Sequence, residues 1–282
     1  VLNQSRPYAA LLIGFVLIAS SQFAFLRAVF PRNNGSYRKV LGHFKRYKLL
    51  LASGFLYTLG LFVHNFAYWF SDLGVAVSGC YVYAPVYDKA SFLAMYTNVL
   101  AGVLFMSQTQ QHFVGRYKEF NDTVNVGRLS DIIVTKNRMF RMIDYILQSA
   151  VRLQFICAVG LFLVFMVVLP GIGYYGLTMD IYPCLAGGYF TVYIMYDLLM
   201  FLNYLEDQRG SFITALLFFS VTLIGSVVAR YLAPYAWQGI GLFAGALCGW
   251  TYCFFRIKWL EENFDAHVFC TGELVKKTPH SM

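Results

Sequence analysis

The sequence predicts an all-α polytopic membrane protein with about seven transmembrane helices. Hydrophobic residues fill 59% of the 282 positions and charged residues only 13%, whereas soluble chains carry roughly 25% charged residues. So few charges cannot cover a water-facing surface of this size, which excludes a soluble enzyme, a secreted disulfide scaffold and a disordered chain. Two further observations support the prediction: the apolar runs are long enough to cross a bilayer, and basic residues are concentrated in alternate connectors.

Seven segments meet the length requirement for a membrane span, which is about 20 mostly apolar residues for roughly 30 Å of hydrocarbon. The third segment is less apolar because it contains Thr97 and Asn98, and the fifth contains Tyr182, Pro183 and Asp197. Seven such helices leave too little polar sequence to wrap them in a soluble fold. The segments are 9–30, 49–71, 89–108, 150–170, 181–203, 212–232 and 237–258.

The positions of the basic residues orient these spans, because Lys and Arg concentrate on the cytoplasmic side of the membrane. If all seven spans are real, all but three of the 22 Lys and Arg residues fall on one side. We therefore expect the N-terminus outside and the C-terminus in the cytoplasm. The net charge of +8 is then explained by membrane topology, and no nucleic-acid partner is expected. The three exceptions are Arg6, Lys89 and Arg230.

The organisation along the chain follows from its connectors. The basic, acid-free segment 31–48 is the natural boundary, and the six helices within 49–258 would form one compact unit before a cytoplasmic tail, 259–282. Segment 108–150 keeps apolar residues at helical spacing. It predicts one or two amphipathic helices along the inner membrane face, or alternatively a solvated connector that extends the third span.

Ionisable side chains within spans are costly and are therefore the first candidates for function. Asp197 is the clearest: it is either a site for a proton, a cation or a cationic substrate, or the partner of a Lys, Arg or Tyr near the cytoplasmic interface. His64 and Asn65 lie deep in the second span, where such residues commonly form hydrogen bonds between helices. Arg152, at the cytoplasmic end of the fourth span, is either part of a substrate path or a snorkelling anchor.

The outer loop 72–88 contains an unusual run of tyrosines. Tyr81, Tyr83 and Tyr87 precede Asp88, which is placed to cap the third span. The rings suit the aromatic belt at the membrane interface; alternatively they stack on sugar faces or close an outer gate. Asp72 lies in the same loop and is a further candidate for contact with the substrate.

Signatures of covalent catalysis are missing from the sequence. It has no Gly-rich phosphate loop, no zinc-spaced His pair and no Gly-x-Ser-x-Gly, so we expect no catalytic residue, no metal site, no cofactor and no enzyme activity. Gly241, Gly245 and Gly249 have the small-xxx-small spacing that permits close helix packing. Two rival classes stay open at this point: a membrane-embedded glycosyl- or acyltransferase, and a seven-helix receptor, although the receptor signatures Asp-Arg-Tyr and Asn-Pro-x-x-Tyr are absent.

Five strings, spread in order over nearly the whole chain, carry a family resemblance, although none is a mechanistic motif. They are Tyr83 to Ala94, the pattern Phe113, Arg116, Tyr117 and Phe120, Leu169 to Gly173, Leu205 to Gly210 and Leu260 to Cys270. These strings resemble the PelG family, which transports the exopolysaccharide Pel. One departure is Gln110-Gln111, where relatives tend to have an acidic residue followed by Thr.

The resemblance implies the C-terminal part of a twelve-helix transporter of the multidrug/oligosaccharidyl-lipid/polysaccharide exporter superfamily, in the bacterial inner membrane. Residues 1–30 would be the last helix of the N-terminal lobe, 31–48 the cytoplasmic linker and 49–258 the six-helix C-terminal lobe. We therefore expect a fragment whose first helices are absent, since the chain starts at Val1 with no visible signal peptide.

The resemblance also implies a substrate and partners. The substrate would be a partly deacetylated, cationic amino-sugar polymer destined for the biofilm matrix. The partners would be membrane lipids, a cytoplasmic glycosyltransferase and other Pel synthesis proteins. A multidrug or lipid-linked oligosaccharide flippase is the alternative within the superfamily.

Overall fold

The computed structural model describes residues 5–30, 42, 44–45, 47–78 and 81–268, and helices make up 88% of them. Six of the described helices are long and apolar enough to cross a membrane. The all-α polytopic prediction is therefore confirmed. The six candidate spans lie within Leu12–Val29, Lys48–Trp69, Leu129–Gly171, Leu177–Tyr204, Gln208–Leu232 and Tyr235–Ala266.

The chain divides into two compact units at Lys48. The first unit contains helix α1, Ser5–Val29, whose 25 residues correspond to the first predicted span. Most of the predicted linker, namely 31–41, 43 and 46, lies outside the described residues, as does 269–282 of the predicted tail. The assignment of the chain to two lobes stays a prediction.

The second unit contains the other helices and one β-hairpin. A π-helical turn, Thr109–Phe113, joins α3 to α4, and a short 3₁₀ helix, Tyr235–Trp237, precedes α8. The elements are α2 Lys48–Trp69, β1 Val75–Ser78, β2 Tyr81–Tyr83, α3 Pro85–Gln108, α4 Val114–Val126, α5 Leu129–Gly171, α6 Leu177–Tyr204, α7 Gln208–Leu232 and α8 Ile240–Ala266.

The predicted third span forms α3, a continuous helix of 24 residues. It is long enough to cross a bilayer at 1.5 Å per residue, but it is not among the six sufficiently apolar helices. Thr97 and Asn98 lower its hydropathy, and both are buried against neighbouring helices: Thr97 Oγ1 lies 2.9 Å from the Tyr182 hydroxyl, and Asn98 Oδ1 accepts a 2.8 Å hydrogen bond from Gln154. Polar groups satisfied in this way are compatible with a span, and the count of seven stays a prediction.

Helix α6 lies at the centre of the second unit, where it packs against α3, α5 and α8. It is the most buried of the candidate spans, which explains why its sequence can carry more polar residues than its neighbours. Helix α2 packs mainly on α7, and α7 packs on α8. The side of α6 that faces α2 and α3 is therefore an internal surface of the unit.

The segment predicted as amphipathic is helical and continuous with the helices on both sides. Through the π turn α3 runs directly into α4, and the 43-residue α5 contains both the polar segment and the fourth predicted span. The two long helices form a hairpin with its tip at Gly127 and Arg128, and its apolar side packs Phe113, Phe120 and Phe140 into a buried cluster. This continuity favours a connector that extends the third span over a separate helix lying along the membrane.

Charged residues cover the exposed surface of this hairpin, opposite its buried apolar side. Arg116 Nη1 donates a 2.8 Å hydrogen bond to Glu119, and Arg138 lies 3.6 Å from the same carboxylate. The hydrogen bond from Arg116 lowers the pKa of Glu119, so Glu119 is charged at neutral pH. Exposed ion pairs of this kind add little to stability. They identify the hairpin surface as one that faces water.

A buried ion pair fixes the turn between α6 and α7. The Asp207 carboxylate is almost fully buried, accepts hydrogen bonds from Arg256 at 2.5 and 3.1 Å, and caps α7 through the Gly210 backbone N–H. The Arg256 guanidinium also lies 4.2 Å from the centre of the Trp259 ring. The bidentate geometry connects the start of α7 to the end of α8.

Candidate functional site

One side of α6 carries a row of polar side chains into the interior of the protein. Tyr182, Tyr189, Tyr193 and Asp197 are spaced seven, four and four residues apart, which places them on one face of the helix. This α6 row contacts α2 and α3. Because the interior of a membrane protein has few polar groups, such a row is the strongest candidate for a functional surface.

The part of the row around Tyr189 contacts a hydrogen-bonded cluster centred on His64. The His64 Nδ1 atom lies 2.9 Å from the Tyr87 hydroxyl, and its Nε2 atom lies 3.4 Å from the Tyr189 hydroxyl. Tyr189 is also 3.0 Å from the Ser91 hydroxyl. Two candidates from the sequence, His64 and Tyr87, are thus brought together, and every member of the cluster is buried. The cluster joins α2, α3 and α6 through hydrogen-bonding side chains.

Asp197 lies at the end of the row that is nearest the C-terminus of α6. Its side chain is only 5% exposed, its Oδ1 atom has no hydrogen-bond partner, and it forms no ion pair with any residue that the structure describes. Tyr57 of α2 packs its ring 5.2 Å from that of Tyr196 and interacts electrostatically with Asp197 and Tyr193. Within the described part of the chain no Lys or Arg pairs with Asp197, and the nearby Tyr57 forms no hydrogen bond with its Oδ1 atom, so the pairing alternative finds no support there.

Tyr193 lies one helical turn before Asp197 on α6, and its ring packs on Gly102 of α3. A Cβ atom at Gly102 of α3 would lie 3.2 Å from the Tyr193 ring, so the absence of a side chain lets the ring approach the α3 backbone. We name Tyr57, Tyr193, Tyr196 and Asp197 the aspartate–tyrosine cluster. It combines a carboxyl group with aromatic faces: the rings attract cations, and the carboxyl group does so once it is ionised.

The structure divides the tyrosine run of the outer loop into two environments. Tyr81 and Tyr83 lie on β2, 67% and 37% exposed and on the same face of the strand, whereas Tyr87 is fully buried in α3 and stacks on Tyr68 at 4.0 Å. Asp88 accepts hydrogen bonds from the Trp69 indole and from the Ala84 backbone N–H. Asp88 therefore holds the start of α3 from within its first turn, while the N-cap residue itself is Ala84.

The remaining candidates lie apart from both clusters. Asn65 is half-buried on α2, and its Oδ1 atom has no hydrogen-bond partner. Asp72 is exposed in the turn between α2 and β1. Arg152 is exposed on α5, where its Nε atom donates a 3.3 Å hydrogen bond to the Gln148 carbonyl of its own helix. Within the described residues, no group of three or more His, Cys, Asp or Glu side chains could hold a metal ion.

Sequence reasoning missed Tyr57, Tyr189, Tyr193 and Tyr196 as members of the site. The regular spacing of tyrosines along α6 was a usable signal for Tyr189 and Tyr193, because aromatic residues with hydroxyl groups are unusual on an internal helix face. Tyr57 gave no such signal, since its position against Tyr196 depends on the packing of α2.

Residues 3–269 match the family model of PelG, described as "Putative exopolysaccharide Exporter (EPS-E)". The chain belongs to the PelG family. Its membership supports transport of an exopolysaccharide over the rival transferase, as the resemblance of the strings implied. No curated protein and no solved structure matches the chain.

PelG membership gives the two clusters a functional context. The family is one of exporters, which is not an enzyme class, and several apolar helices make this member a multi-pass membrane protein. The chemistry of the buried polar side chains is therefore compared with that of a polysaccharide. Sugars present hydroxyl groups at their edges and C–H groups on their faces, and tyrosine side chains complement both.

Proposed function

We propose that this chain moves an amino-sugar exopolysaccharide outward across the inner membrane along the α6 row, without covalent catalysis. The observation that carries the proposal is the buried carboxylate of Asp197, which lies without a partner among tyrosine rings in a member of an exporter family. A cationic amino sugar supplies the missing positive charge, and its ring faces stack on tyrosines. The Pel-type polymer implied by the resemblance has this chemistry.

The contact between α2 and α6 suggests how the cluster is reached. Tyr57 covers Asp197 from the α2 side through its packing on Tyr196 and on Phe218, with ring centres 5.2 and 5.9 Å apart. Separation of α2 from α6 would expose the carboxylate to a substrate. This is the local change that alternating access, or a guided channel between two lobes, requires at this position. A cytoplasmic glycosyltransferase and other Pel synthesis proteins would deliver the polymer to the inner side.

The proposed orientation predicts that the tip of the α4–α5 hairpin is cytoplasmic and that the loop between α5 and α6 is outside. Short epitope tags inserted at Gly127 and at Gly173 test both sides, because both positions are in turns. We expect antibody labelling of intact spheroplasts at Gly173 only, and labelling at Gly127 only after permeabilisation. Labelling of the Gly127 tag in intact spheroplasts would refute the orientation.

Tyr81 and Tyr83 are proposed to guide the polymer as it leaves on the outer side. Loss of a sugar–aromatic contact of this type weakens binding by about 1 kcal/mol per ring, so Tyr81→Ala with Tyr83→Ala removes about 2 kcal/mol and should reduce secreted polysaccharide about thirtyfold. The measurement is the polysaccharide released per unit of membrane-bound protein.

Tyr175 provides the matched control for these outer tyrosines. It is 75% exposed in the α5–α6 loop, on the same proposed side of the membrane, but it lies outside the tyrosine run. Tyr175→Ala should secrete normally. Equal secretion by the double variant and the control would mean that the β-hairpin tyrosines serve only as interface anchors.

A further inference from the structure

A shallow groove lies on the exposed face of α5, apart from the polar row of α6. It has a volume of about 260 Å³ and lies between Tyr145, Ser149, Arg152 and Ile156, with Leu153 beside them. The first four residues are spaced four, three and four positions apart, so they share one face of the helix. The groove therefore presents a hydroxyl, a phenol and a guanidinium in a single row.

Arg152 provides the charge of this groove, and no residue in the described part of the chain neutralises it. Its side chain donates one hydrogen bond, to the Gln148 carbonyl of its own helix, and forms no ion pair with the described residues. The nearest acid along the helix, Asp144, is engaged by Lys258, 3.4 Å away. An unneutralised guanidinium with a neighbouring hydroxyl is suited to a phosphate group.

The character of the α5 surface changes directly beyond Arg152. Towards Gly171 the exposed positions carry no polar side chain, and they include Phe155, Ile156 and Leu163, which are 59%, 68% and 59% exposed. In the other direction the face carries Tyr145 and Arg141. The groove therefore lies where a surface suited to acyl chains meets a surface suited to headgroups.

We propose that this groove binds an anionic phospholipid, with the phosphate on Arg152 and Ser149 and one acyl chain along Phe155, Ile156 and Leu163. Tyr145 contacts the headgroup from the aqueous side. The Arg152 guanidinium lies directly beside an apolar surface, which favours a lipid over a free anion. Inorganic phosphate has no apolar group that could contact that surface. Lipid binding in this groove does not depend on the proposed function, so it can be tested without measuring export.

The test uses the full-length protein in a mild non-ionic detergent, with bound lipid counted by native mass spectrometry during titration with phosphatidylglycerol or phosphatidylcholine. A basic residue near the headgroup contributes about 1 kcal/mol to anionic lipid binding, so Arg152→Gln should weaken phosphatidylglycerol binding about fivefold. Arg152→Lys should retain most of the affinity. Arg116→Gln is the matched control, because Arg116 is an exposed arginine paired with Glu119 away from the groove.

Three results would overturn the proposal. The first is equal binding of phosphatidylcholine and phosphatidylglycerol, which would show that the charge is irrelevant. The second is unchanged binding to Arg152→Gln, or an equal loss in Arg116→Gln. The third is displacement of phosphatidylglycerol by inorganic phosphate at equal concentration, which would mean that the groove recognises an anion alone. Size-exclusion profiles identical to that of the parent protein show that each variant is folded.

Discussion

Asp197→Asn is expected to reduce polysaccharide export at least tenfold while leaving the amount of protein in the membrane unchanged. The substitution keeps the size and shape of the side chain and removes only its ability to carry a negative charge. If the carboxylate holds a cationic sugar, the loss of a charged hydrogen bond is worth about 1.5–3 kcal/mol, which corresponds to tenfold or more in rate. Folding should not suffer, because a buried carboxylate without a partner does not stabilise the native state.

Asp180→Asn is the matched control for this experiment. Asp180 lies on the same helix, and the substitution is chemically identical, but the side chain is exposed in the first turn of α6. The measurement is secreted polysaccharide, normalised to the membrane-bound protein detected by immunoblot. Normal secretion by Asp197→Asn would remove Asp197 from the export path, and an equal defect in Asp180→Asn would indicate a general effect of charge on this helix.

The sequence is sufficient to select Asp197 as a candidate, because the cost of burying a charge is a local property. A carboxylate within an apolar run of this length must face protein or water wherever the helix packs. The same argument identified His64. It could not identify the partners of His64, because Tyr87 and Tyr189 are 23 and 125 residues away along the chain.

The outer loop shows where a local pattern is insufficient. Tyr81, Tyr83 and Tyr87 form a regular run in the sequence, which predicts a single cluster of rings. The chain changes from strand to helix at Pro85, so the alternation that places Tyr81 and Tyr83 on one exposed face does not continue to Tyr87. Pro85 fixes φ for the first helical turn, and the packing of α3 against α2 then buries the third ring.

Hydropathy also gives an incomplete account of α3. Thr97 and Asn98 lower the mean value of the segment, yet each is buried and hydrogen-bonded to another helix. A scale that assigns every polar residue the same transfer cost does not include such partners. Conversely, the continuity of α3 with α4 could not be read from the composition, which changes sharply at the membrane boundary although the helix does not end.

Gly245→Ala is expected to destabilise the protein by about 3 kcal/mol. A Cβ atom at this position would lie 2.8 Å from the Thr222 backbone nitrogen and 2.9 Å from the Phe218 carbonyl oxygen, and would also overlap the Thr222 hydroxyl. Two of these obstacles are backbone atoms of α7, which cannot rotate away. The helices must therefore separate, and a separation of this kind costs 1–3 kcal/mol or more, as in other overpacked cores. The measurement is the midpoint of thermal unfolding in a mild detergent.

Two other glycines turn this expectation into a graded series. Gly249 of the same helix faces the Met195 sulfur atom, which lies at the end of a flexible side chain and can move aside, so Gly249→Ala should cost less than Gly245→Ala. Gly160 of α5 has open space around it, and Gly160→Ala should be neutral or stabilising by up to about 1 kcal/mol because alanine favours the helix. If the close approach of α7 and α8 determines stability, the three midpoints fall in the order Gly160→Ala, Gly249→Ala, Gly245→Ala. An order that follows helix propensity alone would place all three variants above the parent protein, and would show that the spacing of these glycines does not hold the two helices together.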